Sequence, residues 1–286
     1  MVNWHFHDNG WVVILDDFDF KTATQADIND IAKLLSKYTL VVAKNQILNT
    51  ETELRIAYMF GNPGCLNDPN SDLGKRTNED PDGIICRVSG VKDKNGNSSG
   101  IAGYTDEMTW HSNDPSTPTR RSLVWLSGIR GTSGSVTTYN NNILTYNDLD
   151  QTTKDMLKDK QMILKEEFTL QNTTNELITY IEGGNIKDNY TPNILHTNIA
   201  GITGLYFPWI YIHKFVGMSV EESKKIIEPL ARFTVQEKYL YRHEWEDGDV
   251  VIAEQWLGVH KREPFTKINN RVLHRIVFDF PKQDYS

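Results

Sequence analysis

Residues 248–275 read GDVVIAEQWLGVHKREPFTKINNRVLHR. Gly248 and Asp249 are a turn signal, and the apolar run that follows them has the composition of a buried strand. His260 comes after this run, and Arg275 lies fifteen residues later at the end of a second strand-like run. The stretch therefore predicts two core strands with a histidine between them.

A second histidine lies upstream, in the segment WHSND over residues 110–114. Two histidines and one oxygen ligand are the parts of a non-haem Fe(II) oxygenase site. Strand alternation points residues i and i+2 the same way, which favours Asn113 as the oxygen ligand beside His111. Ligand chemistry favours Asp114, because an anionic oxygen binds a hard cation better than an amide, and a bulge would turn it inward. Both residues are candidates.

The composition limits the class of protein. A chain of 286 residues with 38% hydrophobic residues fits one large domain, taken as 1–286, with an ample core. The net charge of −8 argues against nucleic acid as a partner, because phosphate binding needs a basic face. Cys65 and Cys86 are too few for a disulfide framework. Without a signal-like or membrane-spanning segment, the expected location is cytoplasmic.

Local patterns predict the main elements. Strands are expected at 11–15, 39–43, 249–256 and 271–280, with helices at 27–37, 50–61, 147–157 and 219–233. Two of these helices carry a capping-box signature, Thr50 with Glu53 and Ser219 with Glu222. Residues 67–104 are rich in Asn, Asp, Gly and Ser and indicate loop or hairpin, either as an active-site lid or as a surface excursion.

Short strands with a few helices favour an α+β fold with a mainly β core. The architecture expected is a sandwich or a cupin-like jelly roll with helices on the outside. The open end of such a barrel commonly holds a metal. An arginine downstream of the metal site suits the carboxylate of a 2-oxo-acid co-substrate.

Five segments, in order along most of the chain, carry a family resemblance. They are YTLVVAKNQILNTETELRIAYMFG (38–61), WHSND (110–114), GTSGSVTT (131–138), GITGLYF with VGMSVEES (201–207 and 216–223), and WEDGDVVI through His260 to RVLHR (245–275). Together they resemble the taurine dioxygenase-like (TauD/TfdA) family of Fe(II)/2-oxoglutarate-dependent oxygenases. The resemblance implies a double-stranded β-helix core with Fe(II), 2-oxoglutarate and O2.

Carried over by position, the resemblance implies that His111 and His260 are iron ligands. Arg275 becomes the partner of the distal carboxylate of 2-oxoglutarate, with Arg271 as the alternative. The family's co-substrate threonine maps to Val136 or Thr137, of which Thr137 has the required hydroxyl. Asn113 stands where the family has an acid, which is the chain's departure from the pattern.

The expected reaction is oxidation of an unactivated C–H bond of a small molecule, anionic or amino-acid-like, by hydroxylation, desaturation or ring closure. The candidate substrate residues are Arg87, Tyr104, Arg120 and Trp256. Two alternatives are a radical halogenase of the same family and a non-catalytic jelly-roll binding protein. The sequence makes no prediction of oligomeric state.

Overall fold

The computed structural model of the chain describes residues 1–166, 170–172, 177, 185–266 and 270–285. Its strands are β1 Trp4–Phe6, β2 Val13–Leu15, β3 Leu40–Ala43, β4 Cys86–Ser89, β5 Glu107–His111, β6 Leu123–Arg130, β7 Val136–Asn140, β8 Met162–Glu166, β9 Gln171–Asn172, β10 Asn185–Lys187, β11 Leu195–Thr197, β12 Thr203–Leu205, β13 Ile212–Phe215, β14 Leu240–Glu244, β15 Val250–Glu254, β16 His260–Arg262 and β17 Val272–Phe278. Its helices are α1 Gln25–Tyr38, α2 Thr50–Phe60, α3 Asp72–Thr77, α4 Asn142–Asp148, α5 Gln151–Leu157 and α6 Val220–Thr234. The architecture is mixed α/β and mainly sheet.

Two large sheets form the centre of the molecule. One has the strand order β1-β2-β3-β15-β6-β17-β4 and the other β14-β7-β16-β5-β9. Strands β2 and β3 pair in parallel, and the remaining neighbours in both sheets are antiparallel. Each strand can therefore bury alternate residues on its two faces.

Strand β15 illustrates how the core is divided. Ile252 packs with Ile31 of α1 and Ile56 of α2, on the outer face of the seven-stranded sheet. Its neighbour Val251 packs instead with Tyr139 of the five-stranded sheet. Burying an aliphatic side chain of this kind contributes about 1.5–3 kcal/mol, so both faces hold the sheet in place. The layers run helix, sheet, sheet.

This layering positions the residues singled out in the sequence. Strands β5 and β16 are neighbours in the five-stranded sheet, whereas β17 lies in the seven-stranded sheet. Residues 111 and 260 thus come from one sheet and Arg275 from the other, with Arg271 one residue before its strand begins. The interior between the sheets is where their side chains can meet.

Several predicted elements are confirmed. Helix α6 begins after Ser219, and the capping box with Glu222 forms as its sequence signature predicts. The strands expected at 39–43, 249–256 and 271–280 correspond to β3, β15 and β17. The helix expected at 27–37 is α1, which extends two residues further at its start because Thr24 is the N-cap.

Other expectations were wrong in detail. The N-cap of α2 is Asn49 and not Thr50, and Glu53 points into the interior instead of forming a capping box. The single helix expected over 147–157 is two helices, α4 and α5, because Asn141 and Asp150 each cap a separate start. The region 67–104 is not simply loop, since it contains α3 and the edge strand β4.

No helix in the described ranges is both long enough and apolar enough to cross a membrane.

Candidate functional site

Strand pairing brings two histidines together. His111 ends β5 and His260 begins β16, and the two residues are direct partners in the antiparallel register. Their ring centroids lie 4.2 Å apart with the planes inclined at 52°. Both side chains are buried. Residues 149 positions apart in sequence thus form one imidazole pair on the inner face of the sheet.

The two imidazoles are held in the neutral form. Burial lowers the pKa of His111 to about 4. Burial, and then the neighbouring His111 and Arg275, lower the pKa of His260 well below its usual value. His111 Nδ1 donates to the carbonyl of Thr109 at 2.7 Å, which leaves the lone pair on Nε2. A neutral imidazole with one free nitrogen is the form that binds a metal.

Asn113 reaches the same cavity and Asp114 does not. Asn113 is buried and lines the cavity with the two histidines, and its Oδ1 accepts from Arg275 at 3.1 Å. Asp114 is exposed, has φ of +51° and is absent from the cavity wall. Within the described ranges, no third histidine, cysteine or carboxylate joins the pair in a metal-binding cluster. The oxygen that strand parity favours is therefore the one beside the imidazoles.

The cavity has a volume of about 260 Å³ and lies between the two sheets. Its polar side includes the histidines, Asn113 and three arginines, and its apolar side contains aliphatic side chains from both sheets and from residues 101–102. The lining residues are Val88, Ile101, Ala102, Tyr104, Met108, His111, Asn113, Leu126, Thr137, Leu170, His260, Arg262, Arg271, Leu273 and Arg275. Such a site can bind a small molecule with one anionic end and one apolar end.

Arg271 is a buried cation without an acidic partner among the described residues. Its Nε donates to Ser135 Oγ at 3.1 Å, and its guanidinium lies 5.0 Å from the ring of Phe265. Burial, and then Arg262, lower the pKa of Arg271 to about 9. A buried charge with no counter-ion is costly, so this position favours an anionic ligand.

Thr137 lies beside this arginine. Thr137 and Arg271 both line the cavity, and Ser135, which Arg271 contacts, comes two residues before Thr137 in the chain. Thr137 Oγ accepts from Trp245 Nε1 at 2.9 Å, which leaves the threonine O–H free to donate. Thr137 and Arg271 can therefore donate to one carboxylate.

The sequence matches the family model "Taurine catabolism dioxygenase TauD, TfdA family" over residues 8–277. The chain belongs to this family. It is accordingly an oxidoreductase, a dioxygenase dependent on 2-oxoglutarate, also called α-ketoglutarate. The resemblance read from the five motifs is confirmed.

Two relatives match this chain over most of its length. Pentalenolactone F synthase of Streptomyces avermitilis is 23% identical over 297 aligned residues, which cover 96% of this chain and 93% of the relative. The (S)-phenoxypropionate/alpha-ketoglutarate-dioxygenase of Sphingobium herbicidovorans is 21% identical, with 85% and 83% covered. The chain thus matches these relatives over most of their length.

Solved structures have the same fold. AAD-2 in complex with Mn(II) and N-oxalylglycine superimposes with a TM-score of 0.78 at 16% identity and covers 98% of both chains. A taurine dioxygenase from Burkholderia xenovorans gives a TM-score of 0.71 at 17% identity, covering 93% of this chain and 85% of its own.

One of the four expected substrate residues, Tyr104, lines the cavity. Arg87 does not, because its strand neighbour is His274 and its side chain pairs with Glu79 on the helix-facing side of the sheet. Arg120 and Trp256 stack on each other, 4.6 Å from guanidinium carbon to ring centroid, outside the cavity wall. Their contacts come from distant parts of the chain, so sequence proximity to His111 and His260 was misleading.

Sequence reasoning missed Arg262. It lines the cavity two residues after His260, and its guanidinium donates to the carbonyls of Ala102, Tyr104 and Asp106. The ring of Tyr104 lies 4.8 Å from the same guanidinium. Arg262 thus ties the segment 101–106, the end of the expected lid, to the strand that carries His260. Its position at i+2 from His260 was the available signal.

Proposed function

We propose that the chain is an Fe(II)/2-oxoglutarate-dependent oxygenase that oxidises a C–H bond of a small anionic molecule. The observation that carries the proposal is the pair of neutral, buried imidazoles whose cavity also receives the side-chain oxygen of Asn113. The two packed sheets, with strands that alternate between inner and outer faces, support a double-stranded β-helix, or jelly roll, as the fold.

The donor set fits Fe(II). His111, His260 and the amide oxygen of Asn113 would supply two nitrogens and one oxygen, the ligand types of the facial site in non-haem iron oxygenases. When bound, the iron supplies the activation of O2 that oxidation of a C–H bond requires. The structural neighbour AAD-2, described with Mn(II) and N-oxalylglycine, supports a divalent metal at a site of this fold.

We assign the distal carboxylate of 2-oxoglutarate to Arg271 and Thr137, in preference to Arg275. Arg275 donates to Asn113, so its guanidinium is at the metal end of the cavity. Arg271 lies four residues earlier in the sequence, a distance of about 13 Å along an extended strand. The co-substrate binds the metal through its 2-oxo-acid end, so its other carboxylate must lie away from Asn113. Arg271 has the burial, the missing counter-ion and the neighbouring hydroxyl for that task.

Arg275 is then available to the primary substrate. Its partner at the site is the neutral amide of Asn113, so its charge is not compensated by a carboxylate there. The apolar wall formed by side chains such as Leu126, Met108 and Leu273 suits a hydrocarbon body. We therefore propose a small carboxylate with an apolar skeleton as the substrate, held so that one carbon lies over the metal position. Arg262 holds the segment 101–106 against the strand that carries His260.

Succinate formation tests this proposal. Purified protein incubated in air with Fe(II) and 2-oxoglutarate should release succinate, and His111→Ala and His260→Ala should each abolish the release. His5→Ala is the matched control, because His5 is exposed on β1 and should have no effect. Full turnover in either cavity variant would refute the proposal.

A further inference from the structure

Gln255 lies directly behind Asn113, outside the cavity. It is 3% exposed and sits just after β15, in the turn that leads to His260. Its side-chain Oε1 accepts from Asn113 Nδ2 at 2.8 Å and from the Asn113 backbone N–H at 3.3 Å. Its Nε2 donates to the carbonyl of Arg121 at 3.1 Å. The main chain of Gln255 is fixed as well, because its N–H donates to the Ser122 carbonyl and its carbonyl accepts from Arg120.

These contacts allow one orientation of each amide. A backbone N–H can only donate and a backbone carbonyl can only accept, so Asn113 N and Arg121 O together require Gln255 Oε1 toward Asn113. The group of Asn113 that meets Oε1 must then be its NH2. Its Oδ1 consequently faces the opposite direction, toward Arg275. The guanidinium of Arg275 can only donate hydrogen bonds, and it donates one to Oδ1.

We infer that Gln255 is a positioning residue that presents the amide oxygen of Asn113 to the metal. This inference rests on the proposed function. An amide NH2 has no lone pair to offer a metal, so a flipped Asn113 would remove the third ligand. The flip would also set NH2 against Arg275 and Oδ1 against Oε1 of Gln255. The two lost contacts and two repulsions strongly favour the productive orientation.

Asn113 and Gln255 consequently act as a unit. A carboxylate at position 113 would place an oxygen against Oε1 of Gln255, which cannot turn without losing the Asn113 N–H and Arg121 carbonyl contacts. This chain therefore presents a neutral oxygen where its family has an acid. Gln255 fixes the orientation of the Asn113 amide so that this oxygen faces the metal position. Arg275 supports the same orientation from the cavity side.

Co(II) is the probe for the test, since its visible ligand-field spectrum reports which atoms coordinate it. Gln255→Met removes both polar side-chain atoms, and with them all three contacts, at similar volume. It should weaken Co(II) binding about tenfold and alter the spectrum, as loss of an orienting partner does. Gln255→Ala should do the same. Gln255→Glu keeps an acceptor for Asn113 Nδ2 but loses the donor to the Arg121 carbonyl, so it should change the spectrum less than Gln255→Met does.

Gln46→Met is the matched control. Gln46 is another buried glutamine whose Oε1 accepts from the Phe20 N–H and whose Nε2 donates to the carbonyls of Phe18 and Lys44. It is absent from the wall of the histidine-lined cavity. Its replacement should lower the melting temperature and leave the Co(II) spectrum and affinity unchanged.

A double-mutant comparison separates the outcomes. In the Asn113→Ala background, Gln255→Met should cause no further loss of Co(II) affinity. An unchanged spectrum and affinity in folded Gln255→Met or Gln255→Ala, or an equal loss in the Asn113→Ala background, would overturn the role of Gln255. If wild-type Co(II) binding survives His111→Ala and His260→Ala, the metal site itself is refuted instead.

Discussion

A buried charge network joins helix α2 to strand β17. The substitution Glu53→Gln removes the negative charge of Glu53 and keeps the shape of its side chain. Glu53 is 1% exposed, and its carboxylate accepts from His274 Nδ1 at 2.6 Å and from Ser127 Oγ. Glu79 lies 3.5 Å from His274 Nε2 on the other side. His274 is the neighbour of Arg275 and faces the helices. The network therefore stabilises the position of β17, the strand that carries Arg275.

The contribution of this network to the free energy of unfolding follows from the pKa of the His274 imidazolium. Burial acts to lower the pKa of His274, but the hydrogen bonds to Glu53 and Glu79 outweigh it and raise the pKa to about 9 from 6.5. At about 1.4 kcal/mol per pKa unit, protonated His274 contributes on the order of 3 kcal/mol to the free energy of unfolding. Because the folded pKa is the higher one, this contribution is complete below pH 6.5 and is lost as the pH rises through 9.

Urea unfolding at several pH values measures the effect. Wild type should lose about 3 kcal/mol between pH 6 and pH 9.5. Glu53→Gln, which leaves Glu79 in place, should lose part of this contribution at pH 6 and show a flatter pH profile. Glu51→Gln, an exposed position in the first turn of the same helix, is the control and should follow wild type. An undiminished pH slope in Glu53→Gln would refute this account of the network.

Three further predictions concern the cavity. Arg271→Leu should weaken anaerobic binding of 2-oxoglutarate at least tenfold, because truncating one partner of a buried charge pair costs about 2–5 kcal/mol. The control Arg130→Leu, at an exposed position, should bind 2-oxoglutarate as wild type does. A loss of binding seen only in Arg275→Leu would return the role to Arg275. Thr137→Val should raise the KM for 2-oxoglutarate about tenfold, the effect of losing a hydrogen bond to a charged group. The control is Thr138→Val, because the Thr138 hydroxyl donates to Glu263. The same KM in Thr137→Val as in wild type would remove Thr137 from the co-substrate site. Asn113→Ala should lower the iron content of the isolated protein, whereas Asp114→Gly, which suits the positive φ at that position and offers no side-chain oxygen, should retain it; the reverse pattern would make Asp114 the ligand.

Local sequence was sufficient for elements that depend on their own residues. The Ser219–Glu222 capping box and the apolar runs of β3 and β15 are local signals, and each formed where it was expected. Glu53 shows the limit. Its spacing from Thr50 predicts a cap, but His274, a residue 221 positions away, provides a better partner in the interior.

The site was predictable only in part, because some of its contacts join residues that are far apart in the sequence. Strand parity from His111 favours Asn113 over Asp114, and Asn113 does reach the cavity, although β5 ends at His111 and Asp114 has a positive φ that parity could not foresee. Parity cannot reveal that Arg120 is enclosed by Tyr206 and Trp256, or that Gln255 meets the amide of Asn113, since those contacts join segments far apart in sequence. The separate roles of Arg271 and Arg275 likewise follow from their observed contacts and not from their spacing in the sequence.

An anaerobic crystal structure with Fe(II) and 2-oxoglutarate tests the central claim most directly. We expect one iron bound by His111, His260 and Oδ1 of Asn113, with the distal carboxylate of 2-oxoglutarate on Arg271 and Thr137. Iron bound elsewhere, Asp114 in its coordination sphere, or the distal carboxylate on Arg275 would contradict the site as we have assigned it.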